Sequence, residues 1–521
     1  MRLLAFGLNY LLSLVLVITP VSQTRATNAS TLPVRVDGFG VEMSAMPTLT
    51  PENIEPILLK VKESGAGYIR QEINWGQIEN SPDVYDWSAA LPLDLLFATT
   101  NTHKLKVVAV LTGGPAYLAA SGEPVEQQAL RDRWEKFVQA AVDHFGEYID
   151  IWEISSNVNG AYALTSFLSP LTLDQPHGPD PALYAGLLRS ADRIIRDADP
   201  NDQVWLGTLG GFSAPDCAMN PLTFILEVNA AKGWNSFDAI LYRPYQGSAA
   251  PEFPSSGEIN SSCASNLMST PTSIVDEVRA VQELARQLGG KPVFISALGW
   301  NGDVLSALAD NREIHAGQVE TDLLVRASSA LMSHNSIPLI FWNADIYNNT
   351  EAYSALSNLQ QVLHNTKPLG RLQGEDGNVH EYHFRKGGEV TVIAWRVQDG
   401  DTPYPAIIHA GDMRSFTAWS ADSSELTKNT GLHIPAENGE ALVMLNERPV
   451  IFLGRSGDLI ISLRNSFEDQ TELLQIELGK LMERLVNEAK SEFVHLLEKE
   501  LDKAKDSALE WGENKLDELL P

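Results

Sequence analysis

Between residues 36 and 364, short apolar runs alternate with longer stretches of helical period. The short runs are 38–43, 68–73, 106–111, 149–154, 204–207, 239–242, 293–296 and 339–342. Runs of this length, bounded by turn residues, predict buried strands. The stretches 51–64, 129–145, 181–197, 273–288, 314–333 and 355–364 carry apolar positions one helical turn apart and predict covering helices. Alternating strands and helices make a parallel sheet, and eight such units close into a (β/α)8 TIM barrel, here over 30–365. An open doubly wound sheet is the competing arrangement, but no glycine fingerprint follows the first strand.

The pattern changes near Lys367. Segments 380–384, 389–395, 406–409, 415–419, 441–444 and 450–453 are short, alternating and separated by Gly, Asp and Asn turns. They predict an antiparallel β-sandwich accessory domain over 366–455. In 466–521 apolar residues recur at Leu474, Leu478, Leu481, Leu485, Ala489, Phe493, Leu497, Leu501, Ala504, Ala508 and Trp511. That spacing predicts an amphipathic helical tail, continuous or broken. It carries seven basic and fifteen acidic residues. Its stripe can pack on its own protein; its length and terminal position favour self-association or a protein partner.

The chain has 521 residues and a formal net charge of -29. A phosphate backbone would be repelled, so nucleic acid is excluded as a partner, and an anionic membrane is equally unsuited. Neutral saccharides carry no such penalty. Met1 and Arg2 precede an apolar run to Ile18, with small residues near Ala26, the parts of a secretory signal over 1–26. Asn9 and the short run argue against an uncleaved membrane anchor. The protein is therefore expected outside the cytoplasm, secreted or in the cell envelope. Cys217 and Cys263 are the two cysteines. In an exported chain, two thiols in Pro/Ser/Asn-rich stretches suit one loop-to-loop disulfide; the alternative is two unpaired thiols.

Retaining glycosidases place two carboxylates about 5 Å apart, one to attack the sugar and one to protonate the leaving oxygen. In barrel enzymes such residues sit at the C-terminal ends of strands. Those ends read Trp152-Glu153-Ile154-Ser155-Ser156-Asn157-Val158-Asn159 after the fourth strand and Lys291-Pro292-Val293-Phe294-Ile295-Ser296-Ala297-Leu298-Gly299-Trp300 at the seventh. With Gly67-Tyr68-Ile69-Arg70, Trp75, Tyr85-Asp86-Trp87, Gly113-Gly114-Pro115, Phe237-Asp238-Ala239-Ile240, Pro244-Tyr245 and Phe341-Trp342, they resemble the barrel glycoside hydrolases of the β-xylosidase and α-L-iduronidase kind. The resemblance covers 36–453, including the β-domain, and leaves out the tail.

The resemblance implies an acid/base Glu at Asn157, a nucleophile Glu at Ala297, and a sugar-contacting Asn at Ser156. A usual His of the sixth strand has become Arg243. An amide does not titrate in the useful range and an alanine offers no nucleophile, so neither position is expected to catalyse. In such enzymes the second-strand Arg sits beside the nucleophile. With that carboxylate gone Arg70 needs another anion, and Glu72 or Glu153 is expected to supply it. If other carboxylates served instead, Glu42, Glu72, Glu153 and Asp345 are the candidates near the mouth. Trp75, Tyr117, Tyr245, Trp300 and Trp342 fall at or beyond strand ends and, with Arg70 and Ser156, form the expected saccharide-binding set, since aromatic faces stack on sugar C–H surfaces. For each aromatic, a core or loop-anchoring role is the alternative.

No His-Glu-x-x-His helix, cysteine cluster, P-loop or Gly-x-Ser-x-Gly elbow is present, so neither metal nor cofactor is expected. His144, His177 and His409 are scattered and read as ordinary surface or core histidines. The expected function is a secreted glycoside-hydrolase-like protein that has lost catalysis and acts in carbohydrate binding or assembly. The alternatives are an active hydrolase with non-standard carboxylates and a structural envelope protein assembling through its tail.

Overall fold

The computed structural model describes residues 35–43, 49–118, 127–161, 163, 178–256, 263, 272–312, 314–372, 379–397, 404–410, 412–423, 426 and 431–455. The expected signal over 1–26, the tail over 466–521 and His177 lie outside these residues.

Eight parallel strands close into a barrel: β1 (Gly38–Glu42), β2 (Tyr68–Asn74), β3 (Lys106–Thr112), β4 (Ile151–Ile154), β5 (Gln203–Gly210), β6 (Ala239–Arg243), β7 (Val293–Leu298) and β8 (Leu339–Asn343), with β8 pairing back onto β1. The covering helices are α1 (Pro51–Glu63), α2 (Leu91–His103), α3 (Gln127–Phe145), α4 (Pro181–Ala198), α5 (Pro221–Ala230), α6 (Ile274–Gln287), α7 (Gly302–Arg312), α8 (Ala316–His334) and α9 (Thr350–Leu363). Several begin with the same local chemistry. Asp180 and Asn220 cap the free N–H groups of α4 and α5, and a proline follows each at the first helical position, where its missing N–H costs nothing.

The barrel interior is layered. Toward the N-terminal ends of the strands Tyr68, Val108, Ile151, Trp205, Ala239, Leu241, Leu339 and Phe341 form an apolar plug, with Phe294 packed against it. The residues two positions further along β2 and β4 are Arg70 and Glu153, so period-2 alternation puts a charged layer above the apolar one, toward the C-terminal mouth.

Between barrel and helices lies a buried acid. Glu277 of α6 is fully buried and accepts a 2.7 Å hydrogen bond from the Tyr242 hydroxyl, while its Oε1 has no partner among the described residues. Burial pushes its carboxyl up to about 8. The folded chain holds a proton there that the unfolded chain releases near 4.5. Stability from this group is therefore full below the unfolded value and falls as pH rises from there through 8. Glu277→Gln keeps the acceptor for Tyr242 without the ionisation. The variant should match the parent near pH 5 and exceed it by about 3–5 kcal/mol at pH 9 in urea unfolding. A difference that does not change with pH would show that Glu277 does not carry the effect.

Beyond the barrel come β9 (Lys367–Leu372), β10 (Val379–Lys386), β11 (Glu389–Arg396), β12 (Tyr404–His409), β13 (Ser415–Ser420), β14 (Leu432–Pro435), β15 (Glu440–Leu445) and β16 (Val450–Arg455). Six form an antiparallel sheet in the order β9-β10-β11-β16-β13-β14, and β12 pairs with β15. This matches the expected barrel with a C-terminal antiparallel β-domain. Helix α8 makes one of the contacts between the two. Its Ser333 hydroxyl reaches Gly370 O at 2.9 Å and His383 O at 3.1 Å. Arg326 on the same helix is 1% exposed and forks onto Glu252, from the loop after β6, at 2.8 and 2.6 Å. Glu447 of the β-domain lies 3.5 Å from Arg326, and Trp395 of β11 sits beneath its guanidinium at 5.9 Å.

Candidate functional site at the barrel mouth

Arg70 is the centre of the charged layer. Strand β2 pairs it with Glu42 of β1, and Glu42 in turn pairs with Asn343 of β8. Its Nε and Nη2 fork onto Glu153 at 2.6 and 2.8 Å, and Nη1 donates to Glu42. Nη2 also lies 3.3 Å from the Ser156 and Thr208 hydroxyls. Thr208 closes the cluster, donating its N–H and hydroxyl to Glu153 Oε1 at 2.9 and 2.8 Å. The expected contact with Glu153 is therefore made, and Glu42 is a second partner. Exposures are 4% for Arg70, 0% for Glu153 and 7% for Glu42. Burial alone would weaken the charge on Arg70; attraction to Glu153 and then Glu42 outweighs it and holds the guanidinium above its ordinary pKa.

Glu72, one step closer to the mouth on β2, is partly exposed. Burial pushes its carboxyl up, Arg70 pulls it down, Glu42 and Glu153 push it up and Arg243 pulls it down; the balance lies above the usual carboxylate value. The side chain of Asp345, the fourth candidate carboxylate, lies outside the described residues.

The segment after β4 turns sharply. Ser155 and Asn157 both take left-handed backbone angles, φ 68° and 54°. Asn157 directs its amide toward the loop after β5, where Nδ2 donates to the Asp216 carboxylate. The amide fills the space beside two glycines: a Cβ at Gly160 would lie 2.5 Å from its Nδ2 and one at Gly210 would lie 2.9 Å from its Oδ1. Asn159 extends the seam. Its Nδ2 donates to Gly210 O and Met219 O at 3.1 and 2.9 Å, and its Oδ1 accepts from Gly210 N at 2.7 Å. Cys217 is joined to Cys263, with Cα atoms 5.7 Å apart, and Asn220 Nδ2 reaches Cys263 O at 3.1 Å. Side chains thus stitch the loop after β4 to the loop after β5, and the disulfide ties the latter to the segment holding Cys263.

Ala297 sits one residue before the end of β7, half-buried. Beside it the buried Ser296 hydroxyl has no partner among the described residues.

The aromatic set divides. Tyr245 is 39% exposed. Trp300 is half-buried and its Nε1 lies 3.3 Å from Ala249 O. Tyr117 is half-buried, and its hydroxyl donates to Glu79 at 2.7 Å. Two expectations fail. Trp342 is fully buried, edge-on to Phe39 at 5.4 Å, with Nε1 donating to Ser328 of α8 at 3.0 Å. Its neighbour Phe341 faces the interior, so alternation turns Trp342 outward to the helices. Trp75 is likewise fully buried, stacked on Phe137 of α3 at 5.2 Å and beside Trp134, with Nε1 donating to Glu79. Neither tryptophan can meet a ligand at the mouth.

Sequence reasoning missed Glu79, which is buried and accepts from Trp75, Tyr117 and the Asp83 N–H. It also missed Thr208, Asp216 and Asn159, polar residues whose roles depend on contacts about 50 positions away or more. Among the described residues no His, Cys, Asp or Glu group could hold a metal ion, and no helix is long and apolar enough to cross a membrane.

No protein-family model and no curated protein matches the chain. Solved structures do. A family 39 glycoside hydrolase from the gut symbiont Bacteroides cellulosilyticus WH2 superposes with a TM-score of 0.61 at 15% identity, covering 81% of each chain. A GH30 endoxylanase from Clostridium papyrosolvens C71 superposes with a TM-score of 0.52 at 13% identity, covering 81% of this chain and 97% of the other. The fold is therefore that of a glycoside-hydrolase-like barrel with a C-terminal β-domain.

Proposed function

We propose that this chain is an exported glycoside-hydrolase-like protein that holds carbohydrate at its barrel mouth without hydrolysing it. One observation carries the reading. The two positions where the resemblance expects catalytic glutamates hold an amide committed to a loop seam, Asn157, and a methyl group, Ala297. The buried carboxylates Glu42 and Glu153 do not replace them, because both are spent on Arg70. Partly exposed Tyr245 and Trp300 and the Ser156 hydroxyl remain at strand ends for a neutral sugar. The N-terminal pattern and the disulfide support export.

A second reading has its own observation. Glu72 is partly exposed with a raised pKa, a property suited to a general acid, so a hydrolase using it is the rival. The test is a panel of aryl glycosides and natural oligosaccharides, assayed for turnover and for retention on a glycan array. Retention of one saccharide class with no turnover is the expected result. Turnover that disappears in Glu72→Gln would overturn the binding-only reading; absence of both binding and turnover would remove carbohydrate altogether.

A further inference from the structure

The barrel's opposite end holds a cavity of about 440 Å³ at the starts of β1, β2 and β3. Lys104, Lys106 and Lys386 line it, together with His364, Asp37 and Tyr68. The three lysines come from separate places: the end of α2, the first residue of β3 and the last residue of β10 in the β-domain. In this chain acidic residues outnumber basic ones, 67 to 38. Among the described residues none of the three forms an ion pair, so their charge in the cavity is uncompensated by a direct partner. Glu389, the register partner of Lys386, does not pair with it either.

The one carboxylate in the cavity is already engaged. Asp37 accepts a 2.5 Å hydrogen bond from the Tyr68 hydroxyl. Lys106 donates one bond to that same hydroxyl at 3.1 Å and keeps its remaining N–H groups. His364 uses Nδ1 on Asp37 O at 2.7 Å, which leaves Nε2 free. Lys104 caps the C-terminus of α2 in the left-handed region at φ 59° and is exposed. Three ammonium groups converge on one concavity with a single, occupied counter-charge. In a strongly acidic protein this is a local reversal of field, and a concave surface concentrates it.

We propose that this cavity binds a multiply charged oxyanion of the phosphate or sulfate class, either free or carried on a sugar. Three ammonium donors from separate elements suit a tetrahedral anion, which accepts hydrogen bonds in several directions. The site is independent of the barrel mouth, so it stands whether or not carbohydrate is bound or cleaved there.

The test is calorimetric titration of the full chain with inorganic phosphate, inorganic sulfate and glucose 6-phosphate, each against chloride at matched ionic strength. Saturable binding to the wild type is expected. Lys104→Gln and Lys386→Gln together should weaken it about tenfold, from the worth of two exposed charge contacts. Lys136→Gln, which removes an ammonium paired with Asp83 elsewhere, should leave binding unchanged. Tighter binding of glucose 6-phosphate than of phosphate would assign the anion to a phosphorylated sugar, and the reverse order to the free ion. A wild-type response no larger than that to chloride would overturn the proposal. So would a double variant that binds as the wild type does.

Discussion

Replacing Arg70 by methionine is expected to cost about 3–5 kcal/mol of folding stability, the usual penalty for stripping one partner from a buried ion cluster. The loss comes less from the missing attraction than from what stays behind. Glu42 and Glu153 would face each other, nearly dry, with no cation between them. Two like charges in that position favour protonation, so the deficit should shrink as pH falls and each carboxylate takes up a proton. Adding Glu153→Gln should recover part of the loss at neutral pH, because one charge is then gone and Thr208 still has an acceptor. Urea unfolding of the two variants from pH 5 to 8 reads both effects. If Arg70→Met alone were neutral at pH 8, the layer could not be the tight charge cluster that its distances indicate.

The second large effect should come from Arg326. Removing it as Arg326→Met leaves Glu252 buried and unneutralised and takes one of two cations from beside Glu447, which keeps Arg312, at a cost again of about 3–5 kcal/mol. In the parent, burial would raise the Glu252 carboxyl, but Arg326 outweighs it and holds the group below its ordinary value. The location distinguishes this variant from the first. Arg326 joins α8, the loop after β6 and the β-domain, so its loss should uncouple two folding units rather than weaken one. Calorimetry should show one transition splitting into two. Fluorescence from Trp395, which stacks on Tyr382 and His380, should follow the earlier transition. Arg326→Lys should fall between parent and methionine, since an ammonium keeps the charge but not the two-pronged geometry.

The barrel was legible because its signal is local. Each strand run sits within a few residues of its structural counterpart, for instance 68–73 against β2 at Tyr68–Asn74 and 339–342 against β8 at Leu339–Asn343. Strand 204–207 was read short because β5 continues to Gly210 through a register shift after Leu206, which breaks the even alternation. Two β-domain strands, β9 and β14, escaped because Lys367–Leu372 and Leu432–Pro435 carry Pro and Gly or an exposed leucine in place of a clean period. The Arg70–Glu153 contact was predictable from a charge argument: a buried guanidinium requires an anion. The aromatic cleft was not, because nearness to a strand end does not say which way a ring points. Parity does: Trp342 is one residue from inward Phe341, and that alone would have removed it from the set. The loop seam lay beyond reach, since Asn157 and Asp216 are brought together only by the order of β4 and β5 around the barrel.

That seam has a consequence for any attempt to install an acid at position 157. Asparagine fits there because it offers an N–H to Asp216 and is short enough to lie between Gly160 and Gly210. A glutamate would bring one more methylene into the same slot and set a carboxylate against a carboxylate. The loops would have to part, yet Asn159 holds them together from behind through Gly210 and Met219. Asn157 thus acts as a fastener between the two loops, and a glutamate placed there would have to reopen the seam that the asparagine closes.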